Sequence, residues 1–157
     1  MDEDDDIWTR LQSPLHREAY SYWHSKRRGD LLPGRDAIDP VELPAALPWI
    51  NLVDVVRDGD NYRFRHRLIG TGIVGRYGRD ATGCWFDEIY GPEFREQHLQ
   101  AYVDLVKTAR PSLAQVAMAV PEKSFVIYQR LALPLATDGT KVDMILVVLD
   151  FDEPGPV

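Results

Sequence analysis

Residues 49–69, WINLVDVVRDGDNYRFRHRLI, decide the architecture. The first nine, WINLVDVVR, are mostly β-branched and apolar at successive positions, the pattern of a strand covered on both faces. Asp58-Gly59-Asp60-Asn61 has turn chemistry. From Tyr62 to Ile69 the side chains alternate. Tyr62, Phe64, His66 and Leu68 face one way, and Arg63, Arg65 and Arg67 the other. Two strands joined by so short a turn form an antiparallel hairpin. His66 lies between apolar neighbours on one face, so it should point into the core.

Downstream, Gly70, Gly72, Gly75, Gly78, Gly83 and Gly91 restrict residues 70–91 to short helical turns and loops. Residues 94–109 carry Leu99, Tyr102, Val103 and Val106 at helical spacing and stop before Pro111. Three strand-like runs follow, 113–120, 125–136 and 142–151, joined by hairpin-length connections. Upstream, Leu15, Ala19, Tyr22 and Trp23 form the apolar stripe of a helix over 13–28, with Ser13 as cap and Gly29 as stop. Pro33, Pro40, Pro44 and Pro48 forbid a long helix or central strand in residues 30–48. Asp39-Pro40-Val41-Glu42 reads as one capped turn in a strap laid over the core. The prediction is an α+β domain with a five-stranded antiparallel sheet. Short helices and one longer helix lie on one face, plus an N-terminal helix.

A length of 157 residues favours one domain, and 45% hydrophobic with 27% charged residues is ordinary for a globular chain. The net charge of −7 is concentrated at the start, where MDEDDD reads as the beginning of an acidic tail over 1–12. No basic excess exists to neutralise phosphates, so no nucleic-acid surface is expected. No apolar run approaches the ~18 residues of a membrane span. No secretion signal is visible, and the cytoplasm is the expected compartment. The single cysteine, Cys84, excludes an internal disulfide and multi-cysteine zinc sites.

The element order resembles that of a PAS domain over residues 48–151. RLIGTG, Arg67 to Gly72, is similar to the end of the second PAS strand and the first short helix. GRDATG, Gly78 to Gly83, resembles the Gly-x-x-x-x-Gly loop common there. YQRLALPLATDG, Tyr128 to Gly139, is similar to the fourth strand and hairpin of a bacterial family of stand-alone single-PAS-domain proteins. Tyr22-Trp23, Leu32-Pro33, Asp39-Pro40 and Leu47-Pro48 resemble the front of the same family. The implied division is an acidic N-terminal tail 1–12, helix and Pro-rich strap 13–47, PAS-like domain 48–151 and C-terminal tail 152–157. The implied function is a sensory, ligand-binding or protein-interaction module in bacterial signalling, without catalysis of its own.

Gly70-Thr71-Gly72-Ile73-Val74-Gly75 matches the dinucleotide fingerprint. It follows a hairpin strand charged on one face, however, whereas the fingerprint needs a parallel strand and a crossover helix. Cys84, in Gly83-Cys84-Trp85-Phe86, lacks the Asn-Cys-Arg-Phe-Leu-Gln pattern of flavin-binding PAS domains and reads as a small hydrophobe. His16 and His98 are expected to be solvated on helices. No histidine spacing suits a metal, and haem in PAS domains usually takes a histidine on the long helix, where this chain has none except His98 near its start. No cofactor and no metal site are therefore expected. No nucleophile elbow or phosphate loop is present, so the chain is not expected to be an enzyme.

The expected lining of a small apolar cavity is Tyr62, Phe64, His66, Leu68, Trp85, Tyr102 and Met144. Replacing His66 by leucine is expected to be near neutral. Two alternatives stay open: a small-molecule enzyme with His66 as base, and a ligand-free structural adaptor with a filled core. Trp8, Leu11, Leu15, Tyr22 and Trp23 present more apolar surface than one sheet face was expected to cover. A homodimer through the N-terminal helix is therefore expected, beside a small apolar ligand or a signalling protein as partner.

Overall fold

The hairpin of residues 49–69 forms as expected, with β1 at Ile50–Asp58 and β2 at Asn61–Ile69. The structure, a computed structural model, describes residues 3–118, 120–123 and 126–151; the expected C-terminal tail 152–157 lies outside them. Preceding the hairpin are α1 (Glu3–Arg10) and α2 (Pro14–Ser25). After it come α3 (Thr71–Tyr77), α4 (Phe86–Ile89), α5 (Pro92–Thr108), β3 (Ser112–Ala117), β4 (Ile127–Leu135) and β5 (Met144–Asp150). The strands form one antiparallel sheet in the order β2-β1-β5-β4-β3. The chain thus has the α+β architecture expected of it. No helix among the described residues is long and apolar enough to cross a membrane.

One irregularity re-aims the sheet. Leu52 opposes Leu68, but Val53 opposes His66, so Arg67 is an extra residue on β2. Such a bulge restarts the side-chain alternation. Ile69, rather than Leu68, therefore shares the face of His66. The arginines fall on the opposite face, as the alternation required, but they are not simply solvated. Arg63 makes a forked pair with Asp87 at 2.8 and 3.0 Å, and Arg65 reaches Asp54 at 3.0 Å. Both guanidinium groups also lie over the Trp85 ring, at 4.0 and 5.1 Å from its centroid.

The N-terminal region corrects two expectations. Residues expected in an acidic tail form α1 instead, and Ile7 and Leu11 are buried. The buried stripe of α2 is His16, Ala19, Tyr20 and Trp23, with Leu15 and Tyr22 only half-buried. His16 is enclosed rather than solvated because its Nε2 donates to the Val148 carbonyl at 3.0 Å. Trp23 Nε1 donates to the Pro134 carbonyl at 2.8 Å. Pro134 can sit in β4 because the pairing with β3 ends at Ala132, so its missing N–H breaks no ladder bond.

Helix α2 rests on β4 and β5, opposite the face that carries α3–α5. The outward side chains Leu131, Leu133, Leu146 and Val148 are fully buried beneath this cover. Leu11 and Trp23 are likewise fully buried within the chain, which corrects the expectation that they face a second copy. Of the residues expected at a homodimer interface, Trp8, Leu15 and Tyr22 keep part of their surface exposed. Trp8 stays 39% exposed, packed on Tyr20. The strap buries Leu32, Ile38, Leu43 and Ala46 and is pinned to α2, where the Tyr22 hydroxyl donates to Glu42 at 2.8 Å.

Candidate functional site

A cavity of ≈ 290 Å³ lies between the sheet and α3–α5. Its floor comes from alternate residues of the sheet: Asn51, His66, Ile69, Tyr128, Arg130 and Leu149. Its walls are Ile73 and Tyr77 of α3, Phe86 and Ile89 of α4, and His98 and Tyr102 of α5. Tyr90, Arg79 and Ala81 close the remaining sides from the connecting loops. The glycine-broken stretch 70–91 makes this possible. Its helices are only seven and four residues long, too short to lay a continuous packed row over the sheet.

A buried polar chain crosses the floor. His66 Nδ1 lies 3.0 Å from Asn51 Oδ1, and Nε2 lies 2.9 Å from the Tyr90 hydroxyl. The amide oxygen can only accept, so Nδ1–H donates to it and the Tyr90 hydroxyl donates to Nε2. His66 is thus a neutral imidazole with both nitrogens engaged. Burial, aided by the charge of Arg79, lowers its pKa to about 4. Across the cavity, Arg130 Nη1 donates to His98 Nδ1 at 3.3 Å and its guanidinium lies over the Tyr102 ring at 4.6 Å. Burial, then the charge of Arg130, lowers His98 to about 4 as well. Burial raises the pKa of Tyr90 and Tyr128, keeping both hydroxyls protonated. At neutral pH the described lining therefore carries two cations, Arg79 and Arg130, and no carboxylate.

Of the expected lining, His66 and Tyr102 are at the cavity. Phe64 sits behind it, packed on Phe86 and Tyr102 at 5.8 and 5.7 Å. Tyr62 shares the face of His66 but lies four residues along the strand, roughly 13 Å away, under Arg57. Leu68 is turned to the other face by the bulge at Arg67. Met144 opposes Asp54, whose face is that of Arg65. It stands five residues from the cavity residue Leu149, and odd spacing on a strand reverses the face. Trp85 lies under the arginines on that same outer face. Cys84 is half-buried and does not line the cavity. His98, expected in solvent, is half-buried against Arg130. Among the described residues, no group of three or more His, Cys, Asp or Glu side chains could hold a metal.

Two outcomes follow from the polar chain. Replacing His66 by leucine removes the donor to Asn51 Oδ1 and the acceptor of the Tyr90 hydroxyl, and a buried hydrogen bond left unmade costs about 1–3 kcal/mol. Water in the adjoining cavity can rescue part of that, so a loss of about 2 kcal/mol in urea unfolding is expected rather than a neutral change. The second outcome concerns pH. Folded His66 and His98 stay neutral down to about pH 4, whereas unfolded histidines bind protons below about 6.5. The unfolded chain then holds more protons, so stability is complete above that pH and falls as pH drops towards 4. The slope is at most about 1.4 kcal/mol per pH unit for His66 and less for the partly exposed His98. Urea midpoints at pH 7 and 5.5 measure it, and an unchanged midpoint at the lower pH would contradict it.

Five antiparallel strands holding a cavity against three helices define an α+β domain built around an internal pocket. A PAS domain family model matches residues 11–150, and the chain belongs to the PAS domain family. The match takes in α2 and the strap as well as the sheet. No curated protein matches the chain.

Proposed function

We propose that the chain is a non-catalytic sensory module that binds a small molecule between the sheet and α3–α5 and serves signalling in a bacterial cytoplasm. The observation that carries this reading is the ≈ 290 Å³ cavity with convergent polar groups on its wall. Protein interiors rarely leave voids much larger than a water molecule, which speaks against a filled adaptor. An enzyme with His66 as base fits less well, because both ring nitrogens are engaged and a pKa near 4 makes a weak base at neutral pH. At ~30 Å³ per water, the space suits about ten non-hydrogen atoms. That is too small for haem or a flavin, so the purified protein is expected to be colourless. The test is mass spectrometry of freshly purified, denatured protein. A small molecule should be released, and Ala81→Phe, which fills the cavity, should release much less. Identical extracts from the two proteins would count against the reading.

A further inference from the structure

Arg130 is only 3% exposed, yet no described carboxylate pairs with it. Its Nη1 contacts a neutral imidazole, its plane rests on Tyr102, and its Nε has no hydrogen-bond partner. A buried guanidinium without a counter-charge is costly, and an aromatic face offsets only part of that cost. Arg130 sits on β4 between Tyr128 and the apolar strand interior, where an aliphatic residue would give up one hydrogen bond to a neutral imidazole and the ring contact but remove the cost of the buried charge. A charge retained against that gradient is explained by a ligand that brings the anion.

We propose that the cavity binds a small monocarboxylate, with the carboxylate on Arg130 and a compact apolar body against Ile69, Ile73, Phe86 and Leu149. The inference rests on the cavity reading given under Proposed function. The planar guanidinium fork matches a carboxylate in two parallel hydrogen bonds. One buried fork suits one negative charge. A phosphate carries more charge and would need further buried donors, whereas the second cation, Arg79, is exposed to solvent. The remaining polar wall is neutral and supplies orientation: the Tyr90 and Tyr128 hydroxyls, Asn51 and the two histidines.

The full chain is titrated with phenylacetate, with phenylacetamide as its uncharged shape mimic, and with inorganic phosphate, by calorimetry and by amide chemical shifts. Phenylacetate is expected to bind roughly tenfold or more tightly than phenylacetamide, as a charged hydrogen-bonded pair implies, with shifts at cavity residues. Arg130→Met should erase that preference and raise the melting temperature of the ligand-free protein. Arg130→Lys, which keeps the charge without the fork, should keep part of the preference. Equal binding of acid and amide within the cavity overturns the carboxylate and leaves the cavity reading standing. No cavity shifts with either probe overturns both. Phosphate binding more tightly than phenylacetate overturns the head group. If Arg130→Met fails to fold, an Arg130→Lys protein with undiminished fork-dependent preference, or none at all, overturns the role of Arg130.

Discussion

Trp23→Ala is expected to lower the stability of the fold by about 3–5 kcal/mol, the range for deleting a buried large aromatic side chain. Trp23 has no exposed surface, and its indole N–H satisfies the Pro134 carbonyl at 2.8 Å. Alanine would leave a large void between α2 and the sheet and an unpaired carbonyl inside it. Against a total of about 5–15 kcal/mol for a domain, this is a severe loss. It corresponds to a fall in melting temperature on the order of 10 °C for a chain of this size. Denaturant midpoints at low and high protein concentration check it. The loss should be independent of concentration, since the helix docks on its own sheet. A midpoint that rises with concentration would place Trp23 against a second copy instead.

The second large effect is expected at Gly70, where alanine should cost about 3 kcal/mol, the upper end for overpacking. The backbone there is ordinary, with φ −65°. Space is the constraint. A Cβ would meet the Leu47 carbonyl oxygen at 2.6 Å and the Pro48 carbonyl closer still. These are backbone atoms of the 3₁₀ turn Leu47–Trp49 and cannot rotate away. At Gly75, in the same run, nothing lies within 4 Å. Gly75→Ala inside α3 should therefore stabilise by about 0.5–1 kcal/mol through helix propensity. Unfolding curves for the two variants should move in opposite directions. Two similar losses would contradict the idea that the glycines at 70 and 75 serve different needs.

The hairpin, the strap and the strand order were legible because period-two alternation and proline positions are local signals. The site was much less so. Leu68 was assigned to the face of His66 by an alternation that a single bulged residue, Arg67, resets, and nothing in RFRHRLI marks the bulge. The stripe of α2 was misplaced by about one residue because His16 counts as polar in any hydrophobic pattern. It is buried because a carbonyl 132 residues away accepts a hydrogen bond from its ring N–H. Arg130 and Asn51 were invisible for the same reason. A charged or amide residue within a strand reads as outward-facing unless its parity is known. That parity was uncertain in apolar runs such as IYQRLALPL. Aromatics usually go inside, which points Trp85 at the cavity, but two arginines, Arg65 and the Asp87-paired Arg63, hold it on the outer face.

The docking of α2 has a consequence for how the chain is made. Its anchors lie 111 and 132 residues away in sequence, on β4 and β5. The strand next to β1 is β5, so even the centre of the sheet waits for the last strand. A ribosome working from the N-terminus releases Trp23 and Leu11 long before Pro134 and Val148 exist. During that interval only the β1–β2 and then the β3–β4 hairpins can pair locally, and the apolar side of α2 has no complete sheet to cover it. Long loop closure is slow, and exposed apolar segments on nascent chains are prone to association. The apolar stripe of this helix is therefore exposed through most of synthesis, although in the finished fold His16, Ala19 and Trp23 have no exposed surface.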